Sequence, residues 1–122
     1  MCLPLYWVSL LSLLLLPTSG WSHAGLVKSV PVRRAVLSKA PARVQLWFTE
    51  RLEARFCYVS VWNATAQQVD SADVRLEPED PRLLSVGLPA LAPGTYTVKY
   101  RVLSVDGHVV ESQFSFTLRG SP

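Results

Sequence analysis

Hydrophobic and polar residues alternate along much of the chain with a period of two. Val44, Leu46 and Phe48 share one face of a run whose other face carries Gln45, Trp47 and Thr49. Tyr96, Val98, Tyr100 and Val102 alternate with Thr95, Thr97, Lys99 and Arg101, and Phe114, Phe116 and Leu118 alternate with Ser115 and Thr117. Successive side chains of a strand point to opposite faces, so each run sets one face on a core and the other in water. Gly25 to Ser29, Phe56 to Trp62, Asp73 to Leu76 and Leu83 to Leu88 read as weaker strands. Pro31, Pro41, Pro78, Pro81, Pro89 and Pro93-Gly94 fall between the runs, where a missing backbone donor does least harm. No run shows a helical period. The pattern predicts an all-β fold, a seven-stranded Greek-key β-sandwich or barrel packed into roughly 100 residues.

Residues 1–22 stand apart from this pattern. Leu10, Leu11 and Leu13 to Leu16 make an apolar core that Pro17 closes, and the small residues Thr18, Ser19 and Gly20 follow. That is the layout of a cleavable secretory signal. The run from Val8 to Leu16 is far short of the roughly 20 apolar residues that a membrane span takes. A signal peptide over 1–22 and one domain over 23–122 are therefore expected. Gly20 and Ser22 supply the small residues for a cut after Ser22, although Ser22-His23-Ala24 would also pass as a small-x-small motif and move the cut to Ala24. The product is expected to be secreted, periplasmic, unanchored and monomeric.

Charge and cysteine content narrow the function. The chain has 12 Lys and Arg against 9 Asp and Glu, a net charge of +3. These charges are dispersed, with Arg33-Arg34 the one adjacent basic pair, so no clustered basic face points to nucleic acid. Cys2 would leave with the leader, so Cys57 cannot form an internal disulfide in the remaining domain. Cys57 is flanked by strand residues and reads as a small core residue. Asn63-Ala64-Thr65 is a glycosylation triplet of a kind that arises often by chance, and Trp47 and Trp62 read as packing or surface aromatics.

The chain's two histidines sit in unusual places. Cleavage after Ser22 would free the His23 amine beside its own imidazole, giving one residue two nitrogens that close a chelate ring on a metal. His108 ends Ser104-Val105-Asp106-Gly107-His108, between the two best strands. Residues two apart in an extended segment point the same way, so Asp106 and His108 can converge on one ion. Gly107 lets the backbone turn closely beside them. Two imidazoles, an amine and a carboxylate make a tetragonal N,O set, which suits Cu(II). Calcium or magnesium would want an oxygen cage, and structural zinc usually takes Cys/His tetrads.

The sequence resembles the CopC copper-resistance family over nearly the whole span from His23 onward. His23-Ala24 with Leu26 to Pro31, Ala40 to Leu52 around Trp47-Phe48-Thr49-Glu50, Leu91 to Val98, Tyr100 to Val102 with Ser104 to His108, and Phe114-Ser115-Phe116 match the family's segments in order. The resemblance implies a cupredoxin-like or immunoglobulin-like β-sandwich that carries copper in the periplasm. It implies Cu(II) ligation by His23 through amine and imidazole, by Asp106 and by His108. It also implies a role for Glu50 as a weak axial ligand or a hydrogen-bond partner. Many members have proline after the DGH triplet where this chain has Val109. Some carry a methionine-rich Cu(I) loop, which this chain lacks, since Met1 is its sole methionine.

The expected function is non-enzymatic: sequestering or shuttling Cu(II), with delivery to a CopD-type inner-membrane importer. Two other classes stay open at this point. An N-terminal histidine chelate also occurs in copper polysaccharide monooxygenases, and an immunoglobulin-like sandwich can be a metal-free interaction module. Imidazole and amine nitrogens must lose protons to bind a metal, so affinity is expected to fall below about pH 6.

Overall fold

A computed structural model describes residues 25–120, leaving the expected leader and His23 outside the described residues. Eight strands are present among them: β1 (Leu26–Val30), β2 (Val36–Leu37), β3 (Arg43–Phe48), β4 (Tyr58–Trp62), β5 (Arg75–Glu77), β6 (Asp80–Gly87), β7 (Gly94–Leu103) and β8 (Val109–Leu118). They form two four-stranded sheets, ordered β1-β3-β6-β5 and β2-β8-β7-β4. Neighbours pair antiparallel except β2 and β8, which run parallel.

The alternation becomes the core. Val44, Leu46 and Phe48 of β3, Val59 and Val61 of β4, Tyr96, Val98, Tyr100 and Val102 of β7, and Phe114, Phe116 and Leu118 of β8 are all buried in one cluster between the sheets. Each such side chain contributes about 1.5–3 kcal/mol relative to staying exposed, which is what holds a disulfide-free sandwich together. Phe48 meets Tyr100 edge-on at 5.6 Å, and Tyr96 stacks on Phe116 at 5.5 Å. The Tyr96 hydroxyl donates to the Ala92 carbonyl at 2.5 Å, four residues upstream, the corner contact typical of Greek-key sandwiches. On the outer faces the Lys28 ammonium lies 4.5 Å from the Trp47 ring and that of Lys99 lies 5.1 Å from Trp62.

The seven expected strands are all present, with an eighth between the first two. Val36–Leu37 lies along β8 through Thr117 N–H to Ala35 O and Arg119 N–H to Leu37 O, each 2.8 Å, and two residues are too few to carry a period. Pro81 falls inside β6 rather than between runs. It is the strand's second residue, ahead of the ladder with β3 that starts at Leu83, so its missing N–H breaks no pair there. The outer edge of β4 is closed by the chain that follows it: Val69 N–H donates to Val61 O, and Val61 N–H to the Asp70 carboxylate, both at 2.8 Å.

Candidate metal centre

The long antiparallel ladder of β7 and β8 ends at the pair Leu103–Val109, and residues 104–108 close it as a tight turn. Ser104 N–H donates to His108 O and Gly107 N–H to Ser104 O, both at 2.9 Å. The turn is tied sideways to the segment after β3: Leu52 bridges to Ser104, Val105 N–H donates to Arg51 O and Glu53 N–H to Leu103 O. That same segment holds the start of the described chain. Gly25 N–H donates to the Thr49 hydroxyl at 3.0 Å, and Thr49 N–H donates to Gly25 O at 2.9 Å. One short stretch, Thr49 to Glu53, thus fastens the N-terminal strand on one side and the turn on the other.

The turn brings Asp106 and His108 together, with His108 Nδ1 3.1 Å from Asp106 Oδ1. Both side chains are partly exposed, His108 at 44% and Asp106 at 37%. They converge because the backbone bends between them; the extended geometry expected from their spacing is not what aligns them. Gly107 has φ +90° at that bend, and a Cβ there would meet nothing within 4 Å. The glycine answers a conformational need and not a close approach.

Hydrogen bonds from the Ser104 hydroxyl and then from His108 hold the Asp106 carboxyl below the usual aspartate range, outweighing its slight desolvation. An anionic oxygen facing an imidazole nitrogen at this distance is a contact that either a shared proton or a shared cation can hold. Glu50 sits half-buried between Thr49 and Arg51, on the strip that joins the N-terminal strand to the turn. Among the described residues no three His, Cys, Asp or Glu side chains gather closely enough to hold an ion, so these residues alone supply a pair of donors.

Other candidates resolve into structure. Cys57 is buried, and its Sγ donates to Glu53 O at 3.1 Å. Burial pushes its thiol pKa up, a backbone bond at Leu103 opposes this and the Glu53 charge adds to it, so the nucleophilic thiolate is disfavoured. Asn63 Oδ1 accepts from Thr65 N–H and Gln67 N–H at 3.0 and 2.9 Å, so the triplet serves a turn. Two contributors escaped the sequence reading. Ser104, 1% exposed, binds both Asp106 and His108, and Thr49 clamps Gly25. A serine and a threonine carry no metal-ligand signature, and only the folded contacts single them out.

The fold and the turn define a small two-sheet β-sandwich bearing a carboxylate–imidazole pair on a turn tied to the segment that also holds Gly25. The family model for the CopC domain matches residues 26–119. The chain belongs to the CopC family. It is similar to the copper transport protein CutJ of Bacillus subtilis, 31% identical over 93% of this chain, although the chain spans 21% of that protein's length. It is 30% identical to protein YobA of Escherichia coli, covering 93% of each. The crystal structure of CopC from Methylosinus trichosporium superposes with a TM-score of 0.76 at 33% identity, over 82% of this chain and 97% of that one.

Proposed function

We propose that this protein is a single-site Cu(II) carrier that works outside the cytoplasm, in the periplasm, and that copper is its cargo and not a catalytic cofactor. The observation that carries the reading is the Asp106–His108 pair, 3.1 Å apart on a turn tied to the same short segment, Thr49 to Glu53, that holds Gly25. Two donors each about 2.0–2.1 Å from one ion and at about 90–100° to each other lie roughly 2.8–3.2 Å apart. The pair therefore supplies one edge of a tetragonal site.

The remaining donors come from His23. Two residues of chain reach at most about 7 Å, and Gly25 is fixed at Thr49 on the strip that also ties down the turn. Removal of residues 1–22 turns His23 into a chelating end through its amine and imidazole. Glu50, on that strip, acts as a weak axial ligand or hydrogen-bond partner. With Met1 the chain's sole methionine, the domain has no thioether set for Cu(I), and the cargo is Cu(II). A relative named for copper transport holds this segment within a much longer chain, which supports hand-over to a CopD-type inner-membrane importer.

The test is Cu(II) titration against a competing chelator, with electron paramagnetic resonance, on the chain beginning at His23. One equivalent should bind with nitrogen hyperfine structure. His108→Ala should lose more affinity than the roughly 10–100-fold typical of losing an outer-sphere partner. Equal uptake by wild type and H108A would overturn the assignment.

A further inference from the structure

We infer that Ser104 is a positioning residue for copper capture: its buried hydroxyl aims the Asp106 carboxylate and locks the His108 backbone into the turn that presents both. The inference rests on the Cu(II) reading above. Ser104 is 1% exposed, although the four residues after it are all exposed. Its Oγ contacts Asp106 Oδ1, lies 3.2 Å from His108 N and lies 3.3 Å from His108 O.

A hydroxyl has one proton and two acceptor lone pairs, so these three contacts cannot all be donations. The His108 N–H must donate to Oγ. The His108 carbonyl already accepts from Ser104 N–H at 2.9 Å and does not need the hydroxyl proton. The proton goes to Asp106, where a carboxylate acceptor makes the stronger, charge-assisted bond. The bridge from Leu52 to Ser104 in turn fixes this hydroxyl to the strip that carries Thr49 and Glu50. Ser104 thus joins the Asp106 carboxylate and the His108 backbone to the segment after β3.

This arrangement matters because it is set before the metal arrives. An exposed carboxylate without a fixed donor samples several rotamers, and holding it for the ion then costs entropy. With Oδ1 held by Ser104 and facing His108 Nδ1 at 3.1 Å, that cost is already met in folding.

The experiment is a double-mutant cycle on the chain beginning at His23, made of wild type, Ser104→Ala, Asp106→Ala and the pair, read by Cu(II) competition titration, paramagnetic resonance and the melting temperature of the copper-free protein. S104A should weaken Cu(II) about 10–100-fold, the range for outer partners of metal ligands, and should shift the copper hyperfine pattern. In the D106A background the same change should cost at most a few-fold, because the acceptor of its hydroxyl proton is gone. Ser104→Thr, which keeps the hydroxyl, should restore affinity and spectrum; S104T is read only if its melting temperature matches wild type, and the cycle decides without it. An equal loss from S104A in both backgrounds would make the residue merely structural and overturn the proposal. If His108→Ala abolishes uptake while S104A binds like wild type, the role of Ser104 alone fails. If H108A binds like wild type, the copper reading fails and this one with it.

Discussion

Replacing Gly107 with alanine should weaken copper binding for a purely conformational reason. Gly107 has φ +90°, and an added Cβ would point into open space with nothing within 4 Å. No clash therefore contributes, and the cost is that of forcing an L-residue into a positive-φ conformation, about 1–3 kcal/mol. Residues 105–108 are all exposed, so a copper-free turn with alanine can relax into a neighbouring conformation. On the proposed ligand set, the cost then falls on the copper-bound state, in which Asp106 and His108 converge on the ion. At about 1.4 kcal/mol per factor of ten, affinity should fall between roughly 5-fold and 100-fold. Asparagine tolerates positive φ better than alanine, so Gly107→Asn should lose less than Gly107→Ala although its side chain is larger. Competition titration of the two variants beside wild type measures this directly. A larger loss for asparagine would mean that space and not backbone conformation requires the glycine, and the reasoning would be wrong.

Other changes probe the frame around the turn. The Asp73 carboxylate accepts from Arg43 at 2.6 Å and from Gly87 N–H at 2.7 Å, and these bonds, Arg43 first, lower its pKa. A group whose folded pKa is depressed stabilises above its unfolded pKa and loses that effect as pH falls through the folded value. Asp73→Asn should accordingly lower the melting temperature at pH 7 and narrow its gap from wild type in strong acid; a constant gap from pH 7 to pH 2 would contradict this. Phe116→Ala removes a core ring 1% exposed and stacked on Tyr96, and should cost about 3–5 kcal/mol in urea unfolding, with a loss below 1 kcal/mol arguing against this packing. Cys57→Ala should leave Cu(II) affinity within about twofold, since the buried, protonated thiol faces carbonyls of Glu53 and Leu103; a large loss would put sulfur in the site.

Much of the fold was legible because its strands obey the simple rule that alternate residues face the core. β3 reads inward at Val44, Leu46 and Phe48 and outward between them, and β7 repeats the pattern from Tyr96 to Val102. The rule is silent where both faces are covered or both are wet. Leu83 to Val86 of β6 are buried in succession, because Trp47, Arg43 and Asp73 cover the outer side of this sheet. The first half of β8, Val109 to Gln113, is mostly exposed and shows no alternation, yet it pairs with β7 along its whole length. Of the candidate site, Asp106 and His108 were legible from their spacing, although a bent turn and not an extended strand aligns them. Ser104 was not legible as a contributor, since a serine gains such a role only when burial leaves its hydroxyl no partner but the turn. His23 lies outside the described residues, and its part in the site stands on chain reach and on the family resemblance.

If an N-terminal histidine completes the Asp106–His108 pair, as proposed, copper uptake must depend on its free amine. Cu(II) affinity and paramagnetic resonance spectra should be measured for the chain beginning at His23 and for the same chain with one residue added ahead of it. The extra residue converts the His23 amine into an amide, so tight uptake should be lost and the spectrum should show fewer nitrogen ligands. Identical affinity and an identical spectrum for the two chains would rule out the His23 amine as a ligand.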